Sequence, residues 1–174
     1  MSATDLALLI VRLAVGLTFA AHGAQKAFGW WGGPGPANWL KAIHRMGFHP
    51  PQLFAAASIL AELACGLGLA LGFMTPFVAG GLVAQAIVFS IVAHSGKGYF
   101  STKGGFEFPF TLGAAAAAVG VAGAGLVSLD TVLQLDLATG TRLLLVVLGA
   151  AAGVIVVSLR GFAMPAVRPL HRPR

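Results

Sequence analysis

Five apolar stretches divide the chain: Leu6–Phe28, Leu53–Phe73, Phe77–His94, Phe108–Val127 and Leu143–Leu159. Each has roughly the 17–25 residues that a helix needs to cross a bilayer. Lipid offers no water to backbone N–H and C=O groups, so a lone spanning segment must close its hydrogen bonds within itself, as a helix does. With 57% hydrophobic and 9% charged residues over 174 positions, and a mean hydropathy of +0.88, a soluble domain is excluded. The expected fold is all-α, a polytopic membrane helix bundle with no soluble module. The spans are rich in Ala, Leu, Val and Gly, and Gly68/Gly72 and Gly149/Gly153 are spaced to let helix backbones approach closely.

The first stretch has small residues at Ala20–Ala21, as a signal peptide does, but no Lys or Arg precedes its apolar run and the run exceeds a signal core. It is read as a retained helix. Cys65 is the only cysteine, which excludes an intramolecular disulfide or a dithiol centre. Redox chemistry in such a chain would need a bound cofactor or a partner.

The eleven Lys and Arg residues sort by side when the spans alternate direction. Lys26, Lys41, Arg45, Lys97, Lys103, Arg160, Arg168, Arg172 and Arg174 fall together; Arg142 stands opposite, with Asp5, Asp130 and Asp136, and Arg12 lies within the first span. The positive-inside bias then puts the amino terminus outside and the carboxyl terminus in the cytoplasm. The basic tail Arg160–Arg174 fits anionic lipid headgroups better than nucleic acid. Between the first two spans, loop 29–52 carries all three tryptophans and a short helical segment, Ala37–Met46. Trp39, Leu40, Ile43 and Met46 share one face of it and Lys41, His44 and Arg45 the other, as in an interfacial helix or a lid.

Arg12, His22 and Lys26 lie in the first apolar stretch, within an arc of about 80° at helical spacing. A charge in hydrocarbon costs several kcal/mol and usually faces a bundle interior. In the expected topology His22, Lys26, His94 and Glu107 reach one depth from three helices, with Glu62 nearer the midplane. A bare buried carboxylate is expensive, and Lys26 or Arg12 is the natural partner of Glu62. Arg12, in the outer half, is read as a structural partner to a carboxylate or carbonyl. Two readings of the other five remain open. One is a polar pocket able to hydrogen-bond a quinone-like headgroup or to pass protons; the other is a set of interhelical ion pairs that fix the bundle. Neither haem nor metal is expected: two histidines are a weak haem signal, and Lys26 one turn from His22 would oppose a cation.

Several segments together resemble the DoxX family of small bacterial membrane proteins. They are His22-Gly23-Ala24-Gln25-Lys26, the Glu62–Gly72 stretch followed by Thr75, Gly104-Gly105-Phe106-Glu107, and Gly123-Ala124-Gly125 ahead of Ser128-Leu129-Asp130. The resemblance covers about Leu6 to Asp130. It implies a four-helix membrane core linked to oxidoreductase systems, since relatives include a membrane subunit of a thiosulfate:quinone oxidoreductase and a mycobacterial member in a complex with superoxide dismutase and a sulfurtransferase. The chain departs from the family in two places: Ala124 stands where proline is common, and Leu143–Leu159 lies beyond the usual core.

The resulting expectation is a four-helix core in residues 1–130, with an additional C-terminal transmembrane helix and basic cytoplasmic tail in 131–174. The functional expectation is a quinone-binding subunit of a redox complex in the cytoplasmic membrane, with membrane lipids and other proteins as partners and no nucleic acid. His22, Lys26, Glu62, His94 and Glu107 would form the pocket. The alternative is a non-catalytic scaffold or assembly factor whose Gly149 and Gly153 hold other proteins; a transporter fits less well, for want of an inverted repeat. A reporter fused after Arg174 is expected to behave as cytoplasmic, and extracytoplasmic behaviour would reverse the topology.

Overall fold

The computed structural model describes residues 1–160, the side chain of Ser95 excepted. Among them the ordered elements are all helices: α1 (Ala3–Phe28), α2 (Gly35–Arg45), α3 (Pro51–Leu71), α4 (Thr75–His94), α5 (Glu107–Ala122), the single turn α6 (Leu129–Val132) and α7 (Thr139–Leu159). The chain is a polytopic helical membrane bundle, in which α1, α3, α4 and α7 are long and apolar enough to cross a membrane. The fourth stretch is helical only from Glu107 to Ala122, 16 residues, and not to Val127. Gly123, at φ +97°, ends it, because glycine enters the left-handed half of backbone space without a Cβ penalty. The expected lipid-facing role of the tail beyond Arg160 lies outside the described residues.

Local chemistry sets the helix ends. Ser2 and Asp5 form a reciprocal capping box at the start of α1, and the N–H of Gly29 bonds the carbonyl of Gln25 at its end. Pro51 opens α3, where its missing N–H costs nothing. The α3–α4 connection is the tight turn that Met74-Thr75-Pro76 announces. Met74 there has φ +47°, and the carboxylate of Asp130, distant in sequence, accepts from Met74 N at 2.6 Å and Thr75 N at 2.9 Å.

The helices α1, α3, α4 and α5 close a four-membered ring, and α7 docks outside it against α4 and α5. This is the expected four-helix core with a fifth helix. Val15, Phe19, Leu69, Ala79, Leu82, Ala116 and Val119 fill the centre. Small residues set the crossings. At the α1–α3 contact a Cβ on Gly16 would lie 2.6 Å from Ala70 N, and one on Gly66 2.6 Å from Ala20 N. A Gly16/Ala20 pair therefore faces a Gly66/Ala70 pair, each at four-residue spacing, the geometry by which membrane helices gain van der Waals contact. At the α4–α7 contact Gly149 lies against the backbone of Gly80, and a Cβ on Gly153 would meet Ala84 O at 2.8 Å. Gly149 and Gly153 are therefore consumed inside the chain and are not free to hold another protein.

Replacing Gly66 by Leu drives a side chain into the α1 backbone and is expected to lower the unfolding free energy in detergent by roughly 1–3 kcal/mol or more. Gly140→Ala, where a Cβ meets nothing within 4 Å, is the control and is expected to leave it unchanged.

Candidate functional site

At the end of the bundle that carries Lys41, Arg45, Lys97 and Lys103, four elements meet around a buried ion pair. Lys26, in the last turn of α1, donates to Glu62 Oε1, and Glu62 is 2% exposed. Of the two partners expected for Glu62, Lys26 is the one found. The ammonium is closed in by rings, with Nζ 4.3 Å from the Trp39 centroid and 4.1 Å from that of Phe89. A desolvated cation gains about 2 kcal/mol or more from such a face. Trp39 comes from α2, which therefore lies over the pair as a cover. Its Nε1 donates to Ser58 Oγ at 2.9 Å, and Gln85 Nε2 donates to the carbonyl of Ser58 at 3.2 Å. One serine thus ties α2, α3 and α4 together.

The helices α3 and α4, which supply Glu62 and His94, widen here. Ala61–Cys65 within α3 and Ser90–His94 at the end of α4 are π-helical turns. The extra residue per turn re-aims the side chains, and such turns are frequent at functional sites. They leave a cavity of about 240 Å³ bordered by His22, Lys26, Glu62 and His94 and walled by Phe19, Trp39, Phe89, Phe108 and Leu112, among others. Drug-sized ligands occupy about 300–1,000 Å³, so this space suits one small ring system. The His22 ring meets Phe108 edge-on at 5.7 Å. His94 Nδ1 donates to the carbonyl of Gly104 at 2.7 Å, which fixes the tautomer: in the neutral ring Nε2 is an acceptor. Among the described residues Glu62 Oε2 is buried with no hydrogen-bond partner.

Four of the five expected site residues border one cavity; Glu107 does not. Its Oε2 accepts from Ser101 N and Ser101 Oγ, each at 2.9 Å, and it braces the 95–105 connection. That connection is less open than its composition suggests, because Gly105 N, Phe106 N and Glu107 N bond the carbonyls of Phe100, Gly98 and Tyr99. Arg12 lies at the opposite end, 1% exposed, with Nη2 donating to the carbonyl of Val127 and Asp130 close enough to act on it electrostatically. A wider hollow there, about 580 Å³, borders Asp5, Asp130, Asp136 and Arg142. Its acids are already engaged: Asp5 with Leu126 N, Asp130 with α4, and Asp136 with Arg142. Trp39, Phe89 and Ser58 are site residues that the expected set lacks; the sequence carries a signal for two of them, Trp39 on the apolar face of α2 and Ser58 on the helix face of Glu62.

Among the described residues no group of three or more His, Cys, Asp or Glu could hold a metal ion. The family model of DoxX matches residues 7–95, half of the chain, from α1 through α4. No curated protein matches the chain, and no solved structure does.

Breaking a buried pair by removing one partner strands the other charge, at a cost of about 3–5 kcal/mol. Lys26→Met and Glu62→Gln are each expected to destabilise the protein on that scale, and the double variant by much less than their sum. A denaturant double-mutant cycle in detergent measures this, and strict additivity would mean that the two groups do not interact.

Proposed function

Because the chain belongs to the DoxX family, we propose that it is a membrane subunit of a quinone-linked redox complex, with a quinone headgroup bound among His22, His94 and the Lys26–Glu62 pair. The observation that carries this reading is the cavity itself: two histidines and a buried ion pair border an aromatic-walled space the size of one ring. Flat aromatic walls favour a flat ligand. His22 would supply a hydrogen bond to a ring oxygen. His94, with Nδ1 committed to Gly104, would accept through Nε2 when neutral and donate only when protonated. Lys26, capped by two rings and a carboxylate, would stabilise a reduced ring through its field and not by direct contact. Glu62, with one oxygen unpartnered, is the group suited to pass a proton. Glu107 is left out of this set.

The complex would sit in the cytoplasmic membrane with the amino terminus outside, as the bias of the positive residues supports. It would dock a catalytic partner on the cytoplasmic face. A second reading, a non-catalytic scaffold, draws on the outer flank of α7, where Leu143, Leu144, Val147, Leu148, Val154 and Ile155 are exposed. That flank, and not Gly149 or Gly153, would then be the contact.

Protein purified in a mild detergent is expected to retain a lipid-soluble quinone. A short-chain quinone analogue at a hundred times its dissociation constant should stabilise it by about 2.7 kcal/mol, read as a raised unfolding midpoint. Leu112→Trp, which fills the cavity, should abolish that rise. If no quinone co-purifies and none protects, the quinone reading fails and the scaffold reading stands.

A further inference from the structure

On the outer face of the same cover helix lies a second, chemically distinct feature. Trp39 and Ile43 are 7% and 3% exposed, and the bond from Trp39 to Ser58 fixes the roll of α2 about its axis. Lys41, His44 and Arg45, at i, i+3 and i+4, are thereby held outward and exposed. With Asn38, Leu40 and Pro51 they line an open hollow of about 600 Å³. No Asp or Glu occurs between Asp5 and Glu62, and Glu62 is paired to Lys26, so the positive charge of this hollow has no local acid against it.

An apolar groove of about 280 Å³ begins one turn along α3 and lies between α3, α4 and α7. Pro51 borders the basic hollow, while Phe54, Ser58 and Ala61 border the groove; at 100° per residue all four fall within an arc of about 80°. The hollow and the groove share no lining residue; they follow one another along one face of α3, with the buried Ile43 and Phe48 at the end of the groove nearest α2. The groove is walled by Phe54, Ala57, Val88, Ala152 and Val156, and its polar neighbours Ser58 and Gln85 are bonded to each other.

We infer that a phospholipid with an anionic headgroup spans the hollow and the groove, its phosphate on Lys41, His44 and Arg45 and one acyl chain in the groove between α3 and α7. The order of depth matches a phospholipid: charge at the interface, hydrocarbon one to three helical turns inward. Basic hollows between helices at a membrane surface bind such headgroups by charge. An acidic peptide would use the hollow and leave the groove empty. A neutral or prenyl lipid would use the groove and leave three basic side chains unmatched. The inference does not need a quinone to bind: the basic hollow lies on the outer face of α2, and the groove shares only Phe89 with the quinone cavity.

Native mass spectrometry of the full chain in a neutral detergent tests this, with titration of phosphatidylglycerol and of phosphatidylcholine carrying the same chains. Phosphatidylglycerol should be retained at lipid concentrations at least tenfold lower. The double variant Lys41→Gln/Arg45→Gln should bring it to the phosphatidylcholine level, with an unfolding midpoint in lipid-free detergent equal to that of the parent. Ala57→Phe, which plugs the groove, should weaken retention of both lipids. Lys97→Gln/Lys103→Gln, on the other loop at the same end, should leave the preference intact. Equal retention of the two lipids overturns the inference, as does an equal loss in the Lys97/Lys103 variant, which would mark diffuse attraction in place of a site.

Discussion

The ion pair between Lys26 and Glu62 dictates how one end of this bundle is assembled. Two opposite charges sit where a single one costs several kcal/mol, and each is tolerable only while the other is present. Their surroundings follow from that. Trp39 and Phe89 replace the water that Lys26 has lost, and Ser58 holds Trp39 in place. Glu62 is set by a widened turn of α3. α1, α2, α3 and α4 thus each contribute to a single desolvated contact, and the cavity is the space left beside it.

The other end is closed by different means. There the carboxylate of Asp130 and the guanidinium of Arg12 bond to backbone: Asp130 to the N–H groups that open α4, and Arg12 to the carbonyl of Val127. A Cβ on Gly72 would run into the Arg12 guanidinium, so the turn between α3 and α4 is shaped to that side chain. Between the two ends the helices meet through glycine and alanine at near-backbone distances, and such close-packed interiors transmit displacement poorly absorbed elsewhere. The polar chemistry is confined to the ends, one sealed by rings and the other by main-chain bonds.

The helical content and the number of apolar helices were legible in the sequence, because hydropathy over twenty residues is a strong signal. The end of α5 was not: Leu126 and Val127 prolong the apolar run, while the backbone turns at Gly123. Helical periodicity placed His22 and Lys26 on one face and left only Lys26 or Arg12 as partner for Glu62. It could not tell that Glu107, at a similar depth, turns back to Ser101, since depth along a helix carries no direction for the side chain. Glycine spacing at 149 and 153 does mark a close approach, but its partner is Gly80 and Ala84 of the same chain. The π turns at Ala61–Cys65 and Ser90–His94 have no compositional mark, and the rings over Lys26 come from residues 13 and 63 positions away in sequence, a separation no local pattern encodes.

The Asp130 clasp bears on how the chain is made. The N–H groups of Met74 and Thr75 receive their acceptor from a residue 56 and 55 positions later. During synthesis, the helix that opens at Thr75 is complete well before Asp130 emerges. Until then its first turn is served by water at the membrane surface or by no partner at all, and an unserved N–H in lipid costs several kcal/mol. The nascent α3–α4 hairpin therefore lacks this clasp until a segment beyond α5 has been made, so the turn is completed from outside itself.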